Sequence, residues 1–327
     1  MKVSFVKYLR CPVTMSKLKL VSDEVDGDRV KFGTLISDCQ NYRYPIVEFI
    51  PRFVNVDNYA NSFGWQWNKF KKTQFDSYTG YPITFNRFWK ATNWEDKIQE
   101  GEWILDAGCG SGRFAEISSN TTANIVAIDY SNAVDACYEN LYNRDNLIII
   151  QCDIYKLPFE NGFFDKIYSL GVLQHTPDVK EAVRSLSCKI KTGGYFCIDF
   201  YEKSFKSMLL PKYWLRPFTK RVNKESVFLF LEKNIDLLLK ISRFLRTIPF
   251  IGNLLARIVP VADYSTILPL SEKQIREWAI LDTFDWLTPT YDNPQTRKTI
   301  KKWLIEFGFE KIEVLKEGHI VGRGNKL

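Results

Sequence analysis

The residues best suited to chemistry begin with Asp106-Ala107-Gly108-Cys109-Gly110-Ser111-Gly112-Arg113, which follows the apolar pair Ile104-Leu105. An apolar strand that empties into alternating glycines and restarts as a helix lets backbone approach a ligand and aims unpaired N–H groups at it. The spacing is Gly-x-Gly-x-Gly, with Arg113 where a dinucleotide fingerprint carries its third glycine. A carboxylate two residues before the first glycine repels a pyrophosphate and attracts an ammonium. The expected ligand is therefore a nucleoside that carries a cation, held by Asp106, Gly108, Gly110 and Gly112. Asp129 closes the run Ile125-Val126-Ala127-Ile128, where nucleotide folds place an acid that accepts from both ribose hydroxyls. Ser131 is then left to cap the following helix, and Tyr130 lies against the base. His175 precedes Thr176-Pro177, a good helix start, so it falls on a loop at the carboxyl end of a strand, beside the crevice of an open α/β sheet. The only other histidine, His319, is expected away from that crevice. His175 is thus the candidate proton acceptor near neutral pH, with cofactor contact or a structural hydrogen bond as its other roles.

These residues need parallel strands to hold them. Apolar runs at 104–107, 125–129, 147–151, 166–170 and 195–201 alternate with helical patterns, as a parallel sheet requires. A helix from Asn132 to about residue 142 separates the second and third runs. The tail adds a helix that starts at Pro294 and ends at Gly308, then a hairpin of Lys311–Lys316 and His319–Arg323 about the turn Glu317-Gly318. Near the start, Leu18 and Leu20 alternate with lysines before the turn Asp26-Gly27-Asp28, which predicts a hairpin. Residues 226–246 carry Val227, Phe230, Leu231, Leu238, Ile241 and Leu245 at helical spacing within a basic segment. Such a helix packs on its own domain or on the partner of a homodimer, or lies on an anionic membrane.

The chain has 327 residues, room for one α/β domain with additions, and ordinary fractions of hydrophobic (45%) and charged (25%) residues. That composition excludes wholesale disorder. The net charge of +7 selects no partner by itself. Seven scattered cysteines read as reduced, mostly interior side chains, the first eight residues hold no signal-peptide run, and no stretch reaches membrane-span length. A cytoplasmic protein is expected.

The motif Asp106–Gly112 resembles the first motif of class I S-adenosylmethionine-dependent methyltransferases, and three further features are similar to the small-molecule type of that family. These are Leu157-Pro158-Phe159, Phe164-Asp165, and Gly171-Val172-Leu173-Gln174-His175-Thr176-Pro177-Asp178. The resemblance implies a Rossmann-like seven-stranded α/β sheet closed by an antiparallel hairpin, with a small N-terminal β-rich domain and a helical insertion. It implies S-adenosylmethionine as cofactor, with Asp153 accepting from the adenine amino group, Ile154 giving backbone contact, and Leu170 beside them. Phe63-Gly64-Trp65-Gln66-Trp67 followed by Thr73-Gln74-Phe75-Asp76-Ser77 is similar to the pre-motif segment of a subgroup whose N-terminal helices fold over the cofactor. Gln66, Trp67 and Gln74 are therefore lid candidates. Tyr201, Asp285 and Tyr291 are candidates on the acceptor side, Asp285 and Tyr291 from a loop rich in proline and aromatic residues. Residues 1–55 resemble a zinc-ribbon-like domain, but Thr14 and Tyr42 replace the second cysteine of each knuckle, leaving Cys11 and Cys39, so no metal is expected. The expected division is 1–55 zinc-ribbon-like, 56–100 helical lid, 101–201 cofactor core, 202–280 helical insertion capping the substrate, and 281–327 the rest of the core. The implied activity is methyl transfer to a small molecule, a sugar or a lipid-linked intermediate. An RNA guanine methyltransferase is the second reading, opposed by the missing zinc ligands and modest charge, which argue against nucleic acid. A catalytically silent cofactor-binding scaffold is the third, opposed by the intact motifs.

Overall fold

The computed structural model describes residues 1–54, 60–204 and 210–327. The expected boundary at 55/56 falls outside them. Two sheets organise the chain. The first is antiparallel, from β1 (Leu18–Asp26), β2 (Arg29–Ser37), β3 (Arg43–Val47) and β4 (Ile50–Pro51). The second comprises β5 (Trp103–Ala107), β6 (Asn124–Asp129), β7 (Leu147–Gln151), β8 (Phe164–Ser169), β9 (Ile190–Phe200), β10 (Phe309–Glu317) and β11 (His319–Lys326).

The order in the larger sheet is β10-β11-β9-β8-β5-β6-β7. Strands β5 to β9 pair in parallel, and β11 is antiparallel to both its neighbours. Because successive strands run outward from β5 on one side and from β8 on the other, the chain reverses its order between those two. A crevice opens there, outside the carboxyl ends of the strands. Helices cover both faces, so Ile104, Leu105, Val126, Ile128, Ile167 and Ile198 are buried whichever way they point.

The small sheet is packed against the large one. Leu18, Val30, Leu35 and Ile46 belong to the same apolar cluster as Leu105, Phe159 and Phe164. The amide of Phe53 donates to the Gln151 carbonyl at 2.8 Å, which covers the β7 edge. Cys11 Sγ lies 3.2 Å from the Tyr44 hydroxyl, and Cys39 Sγ lies 3.2 Å from Ser37 Oγ. Among the described residues no group of three metal-ligating side chains forms.

Eleven helices are described: α1 (Asn61–Lys69), α2 (Asp76–Thr79), α3 (Ile83–Thr92), α4 (Arg113–Ser118), α5 (Ala133–Leu141), α6 (Val179–Lys189), α7 (Pro211–Thr219), α8 (Lys224–Arg246), α9 (Gly252–Ala256), α10 (Glu272–Leu287) and α11 (Arg297–Glu306). Two starts differ from expectation. Helix α6 does not begin at Thr176-Pro177, because Asp178 accepts from the Glu181 amide at 3.0 Å and is the cap. His175 instead ends a 3-10 turn, Leu173–His175. Helix α11 begins beyond Pro294, because Thr296 accepts from the Thr299 amide at 3.1 Å. Strand β9 starts ahead of the apolar run at 195–201 and carries a bulge, with Ile190 already paired to Phe164 and the register shifting before Lys166.

In the insertion, α8 buries Val227, Phe228, Leu231, Ile235 and Leu239 against Ile275, Ala279, Ile280 and Phe284 of α10. Phe230 and Ile241, expected on the packed face, are exposed. Helix α10 runs through the expected boundary at 280/281 and carries Asp285 in its last turn, so Asp285 is helical rather than in a loop.

Candidate active site

A cavity of about 850 Å³ occupies the crevice, in the upper part of the range for small-molecule sites. The glycine turn makes its floor. Gly108, Gly110 and Gly112 have φ of 90°, 55° and 97°. A Cβ on Gly108 would stand 2.4 Å from Val172 Cγ1, and one on Gly110 would stand 3.1 Å from Trp67 Nε1. Side chains at these positions would close the approach, which is why the segment is glycine-rich. The amides of Gly108 and Cys109 both donate to the Ile128 carbonyl at 2.8 Å, drawing the turn onto β6.

Asp129 stands at the end of β6 as expected. Its Oδ2 accepts from the Gly110 amide at 3.0 Å, and its Oδ1 accepts from the Ser131 amide and hydroxyl at 2.8 and 2.6 Å. Burial raises the Asp129 carboxyl, and these hydrogen bonds oppose the rise. Asp106 lies beneath the turn, 2% exposed, and its Oδ2 has no hydrogen-bond partner. Burial pushes its carboxyl up to about 8. An orphaned acceptor of this kind is the group a ligand ammonium would satisfy.

Tyr130, Cys152, Ile154 and Leu170 line the adjoining wall. Asp153 turns its Oδ1 to the Tyr155 amide at 2.9 Å, and burial raises its carboxyl. Gln66 and Trp67 of α1 cover the cavity, Gln66 Nε2 reaching the Leu281 carbonyl at 3.4 Å. Gln74 accepts from Arg113 and donates to Asp282 Oδ1 at 3.1 Å, tying the lid to α10.

On the other side stand His175 and Tyr201. His175 Nδ1 lies 2.9 Å from the Tyr291 carbonyl; a carbonyl can only accept, so Nδ1 carries the proton. Nε2 is then the lone-pair nitrogen, and it is buried without a partner. Tyr201 donates to Asp285 Oδ2 at 3.2 Å, its ring 5.7 Å from that of His175. Tyr291 takes part through its backbone.

Three residues of this site escaped sequence reasoning. His319 lines the cavity, contrary to expectation, because β11 returns beside β9; its ring is 5.1 Å from that of Tyr201. Burial, with the Arg87 charge, draws His319 down to about 4, so it is neutral. Arg87 of α3 pairs with Asp199 at 2.8 Å, and Asp199 also accepts from the Gly171 amide. The one available signal was an acid at the end of the fifth strand.

Residues 105–198 match the family described as "Methyltransferase domain". The chain carries a class I S-adenosylmethionine-dependent methyltransferase domain. The strand order and glycine turn described above agree with it, and S-adenosylmethionine is its cofactor. A sterol 24-C-methyltransferase of Pneumocystis carinii is 36% identical over 121 residues, covering 36% of this chain and 30% of that protein. A ubiquinone biosynthesis O-methyltransferase of Coxiella burnetii is 30% identical over 112 residues, covering 34% of this chain and 48% of that protein. An uncharacterized chloroplastic methyltransferase of Arabidopsis thaliana is 29% identical and covers 45% of this chain. This chain spans 42% of the length of that Arabidopsis relative. Among solved structures, human N-acetylserotonin methyltransferase in complex with its methyl donor aligns with a TM-score of 0.46 at 13% identity, over 84% of this chain and 60% of that one. The methyltransferase domain contains Asp106, the three glycines, Asp129, Tyr130, Asp153, Ile154, Leu170 and His175. Gln66, Trp67, Tyr201, Asp285 and His319 are brought to it from outside the matched segment.

Proposed function

We propose that this protein transfers a methyl group from S-adenosylmethionine to a small-molecule acceptor, a sugar or a lipid-linked intermediate, with His175 as the base. Asp129 would hold the ribose, Tyr130, Asp153, Ile154 and Leu170 the adenine, and Asp106 with the glycine turn the amino-acid end, while Gln66 and Trp67 close over it. The bound cofactor supplies a methyl on a positively charged sulfur, which leaves as a neutral thioether with the bonding electron pair. The protein's work is then to align an acceptor oxygen with that methyl and to remove its proton. His175 Nε2 takes the proton as the new carbon–oxygen bond forms, and Nδ1–H, fixed on the Tyr291 carbonyl, holds the ring while it becomes positively charged. Tyr201 and Asp285 orient the acceptor. The observation that carries the base assignment is the buried, unpartnered Nε2 of a ring whose other nitrogen is anchored. We place the activity in the cytoplasm, supported by seven cysteines that are all unpaired as disulfides. The test is incubation of the protein with an isotopically labelled methyl donor and a metabolite extract, read by mass shift. A labelled small molecule that appears with the wild type and not with His175→Ala is the expected result. Labelling confined to RNA, or none, overturns the proposal.

A further inference from the structure

Helix α8 is apolar on two sides. Its packed face holds Phe228, Leu231, Ile235 and Leu239, yet Phe230, Leu237, Ile241 and Phe244 are exposed. At about 100° per residue these four fall within about 60° of one another, a stripe along the outer surface. Past the helix end Phe250, Ile251 and Leu254 are exposed as well. Phe250 is fully exposed at φ 64°, a left-handed conformation that bulky residues rarely adopt. It projects an aromatic ring into solvent at the tip of a turn, where none of the described residues covers it. An exposed run of large apolar side chains along one helix face is unfavourable in water, and it marks an interaction surface.

Charge decides the partner. Residues 211–258 hold ten Lys and Arg against three Asp and Glu, while the rest of the chain holds thirty-five of each. The entire net charge of +7 thus resides in this segment. Arg216, Arg243 and Arg246 are paired with Asp292, Glu272 and Asp263. Lys220, Arg221, Lys233, Lys240 and Arg257 are exposed. Lys233 and Lys240 flank the stripe on its own helix, within reach of the same plane. A second copy of this face would bring like charges together, and symmetric pairing would set each excess against itself. An anionic bilayer takes both features, apolar side chains among acyl chains and ammonium groups among headgroups. None of the described helices is long and apolar enough to cross a membrane, so contact is in the interfacial plane.

We infer that the outer face of α8 and the turn at Phe250 seat this protein on an anionic lipid surface. The test is cosedimentation of the full chain with vesicles of phosphatidylcholine containing phosphatidylserine, against vesicles of phosphatidylcholine alone. The wild type should bind the anionic vesicles and be released by salt. The double variant Lys233→Glu/Lys240→Glu should weaken partitioning at least about tenfold, from the loss of two cationic contacts. Phe244→Ser/Phe250→Ser should weaken it by a similar factor of about ten or more, from lost apolar insertion. Both should bind S-adenosylhomocysteine as the wild type does, which shows that they are folded. Failure of the wild type to bind, equal binding to neutral vesicles, or unchanged binding of both variants overturns the inference. So does a dimer in sedimentation velocity that Phe244→Ser disperses, because the face would then belong to a second copy.

Discussion

The Asp106 carboxyl allows a quantitative test of cofactor placement. It is buried beneath the glycine turn with an unpartnered Oδ2, and burial holds it at about 8. At pH 7 such a group is about nine-tenths protonated. If the ammonium of the cofactor comes to Oδ2, the carboxyl ionises, and binding releases about 0.9 proton at pH 7. The affinity for S-adenosylhomocysteine should therefore tighten close to tenfold between pH 6 and pH 7. Calorimetry at pH 7 in two buffers of different ionisation enthalpy measures the release directly, and Asp106→Asn should abolish it. In the free protein the sign is opposite to that of an ion-paired aspartate. The native state holds a proton that the unfolded chain, with its carboxyl at 3.8, has lost. Stability contributed at this position falls as pH rises from about 4 to about 8, with a slope of up to about 1.4 kcal/mol per pH unit that Asp106→Asn removes. Zero proton release by the wild type, or the same release by Asp106→Asn, would place the cofactor's ammonium away from this carboxyl.

Asp129→Ala should weaken cofactor binding by roughly 1.5 to 3 kcal/mol for each ribose hydrogen bond lost, read as a dissociation constant; an unchanged constant rejects the assignment. His175→Ala should leave cofactor affinity within about 0.5 kcal/mol and lower saturated turnover by roughly 10² to 10⁴, whereas a loss confined to cofactor binding would make the ring a pocket wall. The N-terminal sheet should fold without metal, because Thr14 and Tyr42 supply no thiolate. Elemental analysis that finds one zinc per chain, lost together with the fold on chelation, would contradict it.

Much of the core was legible because local sequence and burial agree there. Each parallel strand is covered on both faces, so its residues read as a continuous apolar run, as in Ile125–Ile128 and Leu147–Ile150. Gly27 in the β1–β2 turn and the glycines after β5 announce themselves because few other residues accept their backbone angles. Helix starts were less legible, since Thr176-Pro177 and Asp178 both offer capping chemistry and only the neighbouring amides decide between them. The packed face of α8 is not legible in the sequence because apolar residues surround most of the helix, and the inward side is chosen by residues of α10 more than thirty positions away. His319 and the Arg87–Asp199 pair were invisible for the same reason, because their places in the cavity are set by strand order rather than by local pattern. The cavity was therefore readable where one strand end carries its own residue, as with Asp129, or where a local motif marks the lid, as with Gln66 and Trp67, and not where the returning tail or a distant strand sets the place, as with His319 and Arg87.

The cavity should take a methyl donor rather than a dinucleotide. Binding of S-adenosylmethionine, S-adenosylhomocysteine and NAD to the same preparation, measured by calorimetry, tests it most directly. The first two should bind at one site per chain and NAD should not, because Arg113 occupies the third-glycine position of the dinucleotide fingerprint and Asp106 lies behind the turn. Binding of NAD without binding of either methyl-donor ligand would make the cavity a dinucleotide site instead.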